Sequence, residues 1–195
     1  MSARRVTLRL AQAWVELIAD DPAAVSALAV ARARLSAGRT LATLRRLRLF
    51  ELRGALPQGQ PLADLLHRST QFYNPHKERC HVRTRAREAS MWSDDAWVVL
   101  VKDRDGCRRA AAERWWRHET GDAVEVHEAV AWVLSFEPAG TREVAEELVV
   151  LRDRRHGLLC NPHAQAWALS GTDVPLAWIT AERGDARSIV PGRTS

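Results

Sequence analysis

An α+β fold built from two copies of one small unit is what this 195-residue chain predicts, and two recurring phrases carry that prediction. Phe72-Tyr73-Asn74-Pro75-His76 is echoed by Leu159-Cys160-Asn161-Pro162-His163. Ala13-Trp14-Val15-Glu16-Leu17-Ile18 is echoed by Ala96-Trp97-Val98-Val99-Leu100-Val101, and each copy runs into an acidic turn, Asp20-Asp21-Pro22 and Asp103-Arg104-Asp105-Gly106. Two phrases recurring in the same order point to a duplicated architecture before any local propensity is weighed.

In the first copy, Val6 to Ile18 alternates and is rich in Leu and Val, which predicts a strand. Asp21 offers an N-cap with Pro22 at the first helical position. Val25, Leu28 and Leu35 follow at helical spacing, and Gly38 stands where a left-handed C-cap residue belongs. Leu41 to Leu56 alternates imperfectly, which predicts two strands or a bent one. Pro61 then opens a helix with Leu62, Leu65 and Leu66 on its buried side. This helix runs into Asn74-Pro75, where the residue before proline is pushed out of the helical region. Cys80 and Val82 mark a closing strand.

The polar stretch 85–94 reads as a linker, and the order then repeats. Trp97 to Val101 is a strand, and Asp105 caps a helix through Cys107, Ala111, Trp115 and His118 that ends at Gly121. Val124 to Phe136 is strand material, with Val130, Trp132 and Leu134 at a period of two. Thr141 caps a helix with Glu143 near its positive end. Val144, Leu148 and Leu151 form its apolar stripe, and Ala166 to Leu169 closes the copy. Val174 to Ile179 is a further apolar piece that extends the sheet. The expected class is therefore α+β with two tandem ferredoxin-like (βαββαβ) repeats forming a pseudo-dimer, helices on one face of each sheet. The repeats span 1–84 and 95–183, with a loose tail over 184–195.

Composition narrows the function classes. Hydrophobic residues make up 46% of the chain, enough for a packed core. The N-terminal apolar run is broken by Arg9, Gln12 and Glu16 and does not read as a signal peptide. No apolar stretch reaches membrane-spanning length, so a cytoplasmic protein is expected. Cys80, Cys107 and Cys160 fit no evenly paired framework and read as reduced, buried small side chains. The net charge of +5 comes almost wholly from scattered arginines, with Lys77 and Lys102 the only lysines. Charge alone therefore does not single out nucleic acid, although Arg45, Arg46, Arg48 and Arg53 make a basic strand surface that such a partner would use.

No nucleophile motif, phosphate-binding glycine loop or carboxylate pair stands out, so no catalytic residue and no cofactor is assigned. His127-Glu128 reads as a surface pair, and Glu143, Glu146 and Glu147 as a solvated helix face. His76 with Cys80 and Cys160 with His163 have ligand-like spacing but lack the denser cysteine pairs of zinc sites, so no metal is assigned. The candidate site residues are the duplicated turns, Asn74, Pro75, His76 and Asn161, Pro162, His163, read as helix-stop devices or partner-facing turns. Trp115 and Trp116 join them, because helical neighbours do not face one core and one of the pair is expected at an interface. Trp14 and Trp97 are expected in equivalent core positions.

The Glu-rich helix around Glu143, Glu146 and Glu147, followed by Leu158-Leu159-Cys160-Asn161-Pro162 and a final strand, resembles the PurS family, the small subunit of phosphoribosylformylglycinamidine synthase. Phe72-Tyr73-Asn74-Pro75 is the corresponding stretch of the first copy. The resemblance implies a non-catalytic adaptor of de novo purine biosynthesis, here two units fused in one chain. Its partners would be the glutaminase and synthetase subunits of the same complex, with further self-association open. A small-molecule site lodged between the repeats is the remaining alternative.

Overall fold

A computed structural model describes residues 9–57, 60–86, 88 and 91–181 of the chain. Its first half contains strand β1 (Arg9–Leu17), helix α1 (Pro22–Arg34), strand β2 (Leu41–Gly54), helix α2 (Gln60–His67) and strand β3 (Glu78–Arg83). Its second contains β4 (Trp97–Asp103), α3 (Ala110–Thr120), β5 (Val124–Phe136), α4 (Arg142–Glu147) and β6 (Gln165–Ser170). All six strands join one antiparallel sheet in the order β3-β1-β2-β5-β4-β6, where a sheet for each half was expected. The α+β class stands, and the same order of five elements occurs twice.

The middle of each half is one long strand where a strand pair was expected. β2 runs unbroken for 14 residues because it is covered on both faces, which erases the alternation that a half-exposed strand would show. Phe50 and Leu52 point toward the helices while Leu47 and Leu49 point away from them. The register with β5 slips between Leu41 and Thr43, and this slip turns Leu41 onto the helical face beside Leu44. β2 and β5 pair over almost their whole length, with Arg48 opposite Val130 near the centre.

The helical face has two cores, and each mixes the halves. α1 and α4 cover Leu44, Val99, Val101, Trp132, Leu134 and Leu169. α2 and α3 cover Ala13, Val15, Phe50, Leu52, Val124 and Val126. On the opposite face a third core gathers Trp14, Leu47, Leu49, Val98, Leu100, Ala131 and Val133. The apolar piece Val174 to Ile179 is no strand. It crosses this face as an irregular strap, burying Val174, Trp178 and Ile179.

Several local expectations are met. Asp21 caps α1, its Oδ1 accepting from Ala23 N at 2.8 Å, with Pro22 at the first turn. α2 buries Leu62, Leu65 and Leu66, and Gly121 closes α3 in the left-handed region with φ 77°.

Others are corrected. α1 ends at Arg34 with Leu35 as its C-cap, and Gly38 lies in a following 3-10 turn. Glycine is needed there for close approach, since a Cβ would lie 2.1 Å from the Ala31 carbonyl oxygen. Val25 faces solvent, because α1 seats its small Ala24 and Ala31 against the sheet instead. α2 stops at His67, short of Asn74. α3 begins at Ala110, since residues 107–109 are still tied to β5 by Glu128 N to Cys107 O and Arg109 N to Val126 O. α4 ends at Glu147, leaving Leu151 exposed in the following loop, and the Thr141 side chain makes no cap bond. Residues 6–8 of the first expected strand and the tail from 184 lie outside the described residues. No helix among the described residues is long and apolar enough to cross a membrane.

Candidate functional site

The two Asn-Pro turns are built alike atom for atom. Proline keeps each asparagine out of helical backbone, and a short polar side chain there bonds to the backbone just ahead of it. Asn74 Oδ1 accepts from His76 N at 3.0 Å, and Asn161 Oδ1 accepts from His163 N at 3.1 Å. The Asn74 N–H donates to Glu78 Oε2 at 2.6 Å, and that of Asn161 to Gln165 Oε1 at 3.0 Å. Each asparagine carbonyl takes two further backbone N–H groups, from Lys77 and Glu78 or from Ala164 and Gln165. His76 and His163 both stand exposed at the tips. No group of three or more His, Cys, Asp or Glu able to hold a metal occurs among the described residues.

The sheet order gives these turns their significance. Each leads into an edge strand, Asn74 into β3 and Asn161 into β6, and the two edges run in opposite directions. The turns therefore occupy diagonally opposite corners. Five inter-strand steps separate the edges, roughly 24 Å at about 4.8 Å per step. Each corner is completed by the chain leaving the neighbouring strand: Ile18 N donates to Lys77 O, and Arg104 N donates to Ala164 O, both at 2.9 Å. The backbone is the same and the chemistry is not. Leu17 and Ile18 are exposed apolar residues, 38% and 50% accessible, whereas Asp103 and Arg104 stand in the matching places of the second half.

Trp115 and Trp116 share one core, contrary to expectation. Phe72 lies between them, its ring 5.8 Å from Trp115 and 6.3 Å from Trp116 in edge-on contacts. Trp116 is fully buried, and Trp115 is half-buried against the same core. Trp14 and Trp97 are not equivalent either. Trp14 pairs with Leu49 and His81 in the register where Leu100 pairs with Ala131 and Ala168. Trp97 lies three residues earlier and donates its indole N–H to Gly140 O at 2.9 Å.

Between the two helical cores runs a polar seam. Arg48 bridges Glu78 at 2.9 Å and Glu128 at 3.5 Å, donates to Phe72 O at 2.8 Å, and lies over the Phe50 ring. Arg46 pairs with Asp21 and stacks over Trp132, and Arg109 pairs with Glu128. Arg45 pairs with Glu16 on the opposite face of the sheet, where it stands across from Val133, so the arginines of this strand do not share one surface. Three of the four arginines of the basic strand surface are thus engaged by carboxylates, leaving Arg53 exposed. Glu128 is accordingly not half of a surface couple with His127, which points to the opposite face of the sheet.

That opposite face holds the polar residues that sequence reasoning missed. Glu51, 1% accessible, accepts from Trp178 N at 2.9 Å, Ile179 N at 2.8 Å and the Thr180 hydroxyl. Gln12, fully buried, donates to Pro175 O and Leu176 O and accepts from Trp14 Nε1 and Arg83 Nη1. Together they pin the strap to the sheet. Nearby, Cys107 Sγ lies 3.5 Å from His127 Nδ1. Burial raises the Cys107 pKa despite Lys102, which favours the neutral thiol over a thiolate nucleophile. Cys160 is raised the same way, and Cys80 is pushed up to about 12 by burial that Arg48 only partly opposes. A cleft of about 620 Å³, lined by Leu10, Leu56, Leu62 and Leu176 with Arg9 and Arg85, lies at one end of the sheet. Apart from Leu176 of the strap its lining comes from the first half, and none of the Asn-Pro-His residues lines it.

No family model, curated protein or solved structure matches the chain.

Proposed function

We propose that this chain is a two-armed, non-catalytic adaptor, a fused pair of ferredoxin-like units forming a pseudo-dimer. The single observation that carries this reading is the twofold recurrence of the Asn-Pro-His corner, built from the same hydrogen bonds at diagonally opposite ends of one sheet. A single rigid sheet fixes the distance and angle between the corners, and holding two bodies in a set geometry is what a bridging subunit contributes. The corners differ in chemistry, apolar at Ile18 and basic at Arg104, which fits two dissimilar partners better than two copies of one.

The partners are narrowed by resemblance alone. The Glu-rich helix and Leu158-Leu159-Cys160-Asn161-Pro162 support the glutaminase and synthetase of the formylglycinamidine-forming amidotransferase, between which ammonia passes. The test is co-elution of the purified chain with both enzymes from the same organism, with glutamine and Mg-ADP present. A three-way complex whose glutamine-dependent activity requires the chain supports the assignment. Ile18→Asp is then expected to release one enzyme and Arg104→Glu the other. If the chain elutes alone and the enzymes work equally well without it, the purine assignment falls.

A further inference from the structure

We infer that the outer edge of β6 is a self-association surface, through which two copies of this chain join their sheets strand to strand about a twofold axis. β6 is an outer strand, and its inner side is filled by β4. One bond tells which of its backbone groups face outward. Arg104 N donates to Ala164 O, and these two residues stand one step beyond the paired Asp103 and Gln165. In an antiparallel ladder such hydrogen-bonded pairs recur at every second residue, so Ala166, Ala168 and Ser170 turn their N–H and C=O groups toward β4. Trp167 and Leu169 turn theirs outward, where no backbone group among the described residues meets them. Natural sheet edges are kept from pairing by charged side chains, proline or bulges. Gln165–Ser170 has no charge and no proline, and its register with β4 is unbroken. Trp167 adds an apolar side chain, 38% accessible, on the helical face, where it stands opposite Val101.

The occupant follows from what this edge can face. Its complement is an extended strand that carries no charge and sets an apolar side chain beside Trp167. The chain does not supply that cover itself. Every other strand among the described residues already lies within the sheet, and the apolar strap Val174 to Ile179 crosses the opposite face. β3, the other outer strand, is a poor match, because it would bring Glu78 and Arg79 against the uncharged edge. Joining β6 to β3 would also leave a free edge at each end and grow into an open chain of copies, whereas β6 against β6 closes after two. Residues directly opposite in an antiparallel pair share a face, so a twofold axis perpendicular to the sheet brings the two Trp167 side chains together on the helical face. The outward groups of Trp167 and Leu169 then find donors and acceptors on the same strand of the second copy, and the two sheets become continuous. This inference goes beyond the adaptor reading and holds whichever partners meet the corners.

The test is sedimentation equilibrium of the full chain over a concentration series, with amide hydrogen exchange on the same samples and circular dichroism to confirm folding. The wild type is expected to show a reversible monomer–dimer equilibrium. Its Trp167 and Leu169 amides are expected to exchange at least tenfold more slowly in the dimer than in the monomer. Trp167→Lys sets two like charges beside the axis and is expected to weaken the dimer at least tenfold. Trp167→Pro removes an outward donor while sparing the bonds to β4, and is expected to abolish it. Arg79→Glu on the β3 edge is expected to leave it unchanged. The exchange measurement requires no variant, so it decides even where a substitution unfolds the chain. A wild type that stays monomeric throughout overturns the inference. So does a dimer whose Trp167 and Leu169 amides exchange as fast as in the monomer, one that survives both Trp167 variants, or one lost instead to Arg79→Glu.

Discussion

Replacing Glu51 tests how the strap is held, because its partners are backbone groups that no mutation removes. In Glu51→Leu the side-chain volume is retained while the Trp178 and Ile179 N–H groups lose their acceptor. Each orphaned buried N–H costs about 1–3 kcal/mol, so the closed strap becomes worse by roughly 2–6 kcal/mol. The chain could avoid that cost by letting the strap go. Exposing Trp178 alone, at about 200 Å² and about 25 cal/mol per Å², loses about 5 kcal/mol, and Val174 and Ile179 add roughly 2 kcal/mol each. Release is therefore the costlier route, and the strap is expected to stay shut over two strained donors. Removing a buried carboxylate also relieves desolvation, which places the net loss near the lower half of the range, about 3 kcal/mol. For a chain of this size that lowers Tm by roughly 6–12 °C.

Glu51→Gln with its oxygen in the Oε2 place keeps both backbone bonds and turns its N–H₂ toward the Thr180 hydroxyl, which can accept, so well under half the loss is expected. Guanidinium unfolding followed by tryptophan fluorescence measures both variants, and limited proteolysis of the strap reports whether it opens. Leu and wild type sharing one midpoint would refute the anchoring role. Gln proving as damaging as Leu would refute the hydrogen-bond account of it.

The other expectations concern the seam, the corners and the buried thiols. Arg48→Met leaves Glu78 and Glu128 facing each other without their shared cation and is expected to cost about 1–3 kcal/mol in urea unfolding, against less than about 1 kcal/mol for Arg45→Met at a more exposed pair. Asn74→Ala and Asn161→Ala each remove one side-chain bond to the turn and are expected to cost about 1 kcal/mol apiece, while a large inequality would mean that the matching geometry hides unequal roles. For Cys80 the sign follows from its folded pKa of about 12 against an ordinary thiol near 9.0. Above pH 9 the unfolded chain releases this proton and the folded chain keeps it, so the unfolded state binds fewer protons and stability falls with rising pH. Comparison of wild type with Cys80→Ala between about pH 9 and pH 11 should show the steeper fall in wild type.

Much of the fold was legible because local chemistry and global packing agree. Asp21-Pro22, Gly121 and the leucines of α2 each carry a local signal that the tertiary structure leaves in place. Val124 to Phe136 is legible as strand because its alternation survives around Trp132 and Leu134, although the repeat pattern called for a pair and the structure makes it a single run. β2 was misread because burial on both faces removes the period that identifies a strand, and a register slip at its start shifts what remains. Val25 looked like core because it is the larger residue, but alanine lets α1 approach the sheet more closely. The phrase around Trp14 and Trp97 showed that the halves repeat, yet aligned them three residues out of register. Gln12, Glu51 and Arg83 were invisible as a group, since the strap they hold has no periodicity and lies far from them in sequence.

The arrangement of the helices explains why the two halves form one sheet. α1 rests on β2 and shares a core with α4 and with Val99, Val101 and Leu169 of the second half, while α3 rests on β5 and shares a core with α2 and with Ala13, Val15 and Phe50 of the first. Each half thus lends one helix to a core it shares with the other. Separating the halves would uncover both helical cores and open the long edge of β2, a strand whose two faces are already apolar. Such an edge is a ready template for unwanted pairing, and β5 is its cover. The edges left at the outside are short, six residues each, and both are entered through an Asn-Pro corner. β3 carries Glu78 and Arg79 along its edge, whereas β6 carries no charged residue. The duplication therefore hides its longest strands at the centre and leaves only short ones at the edges.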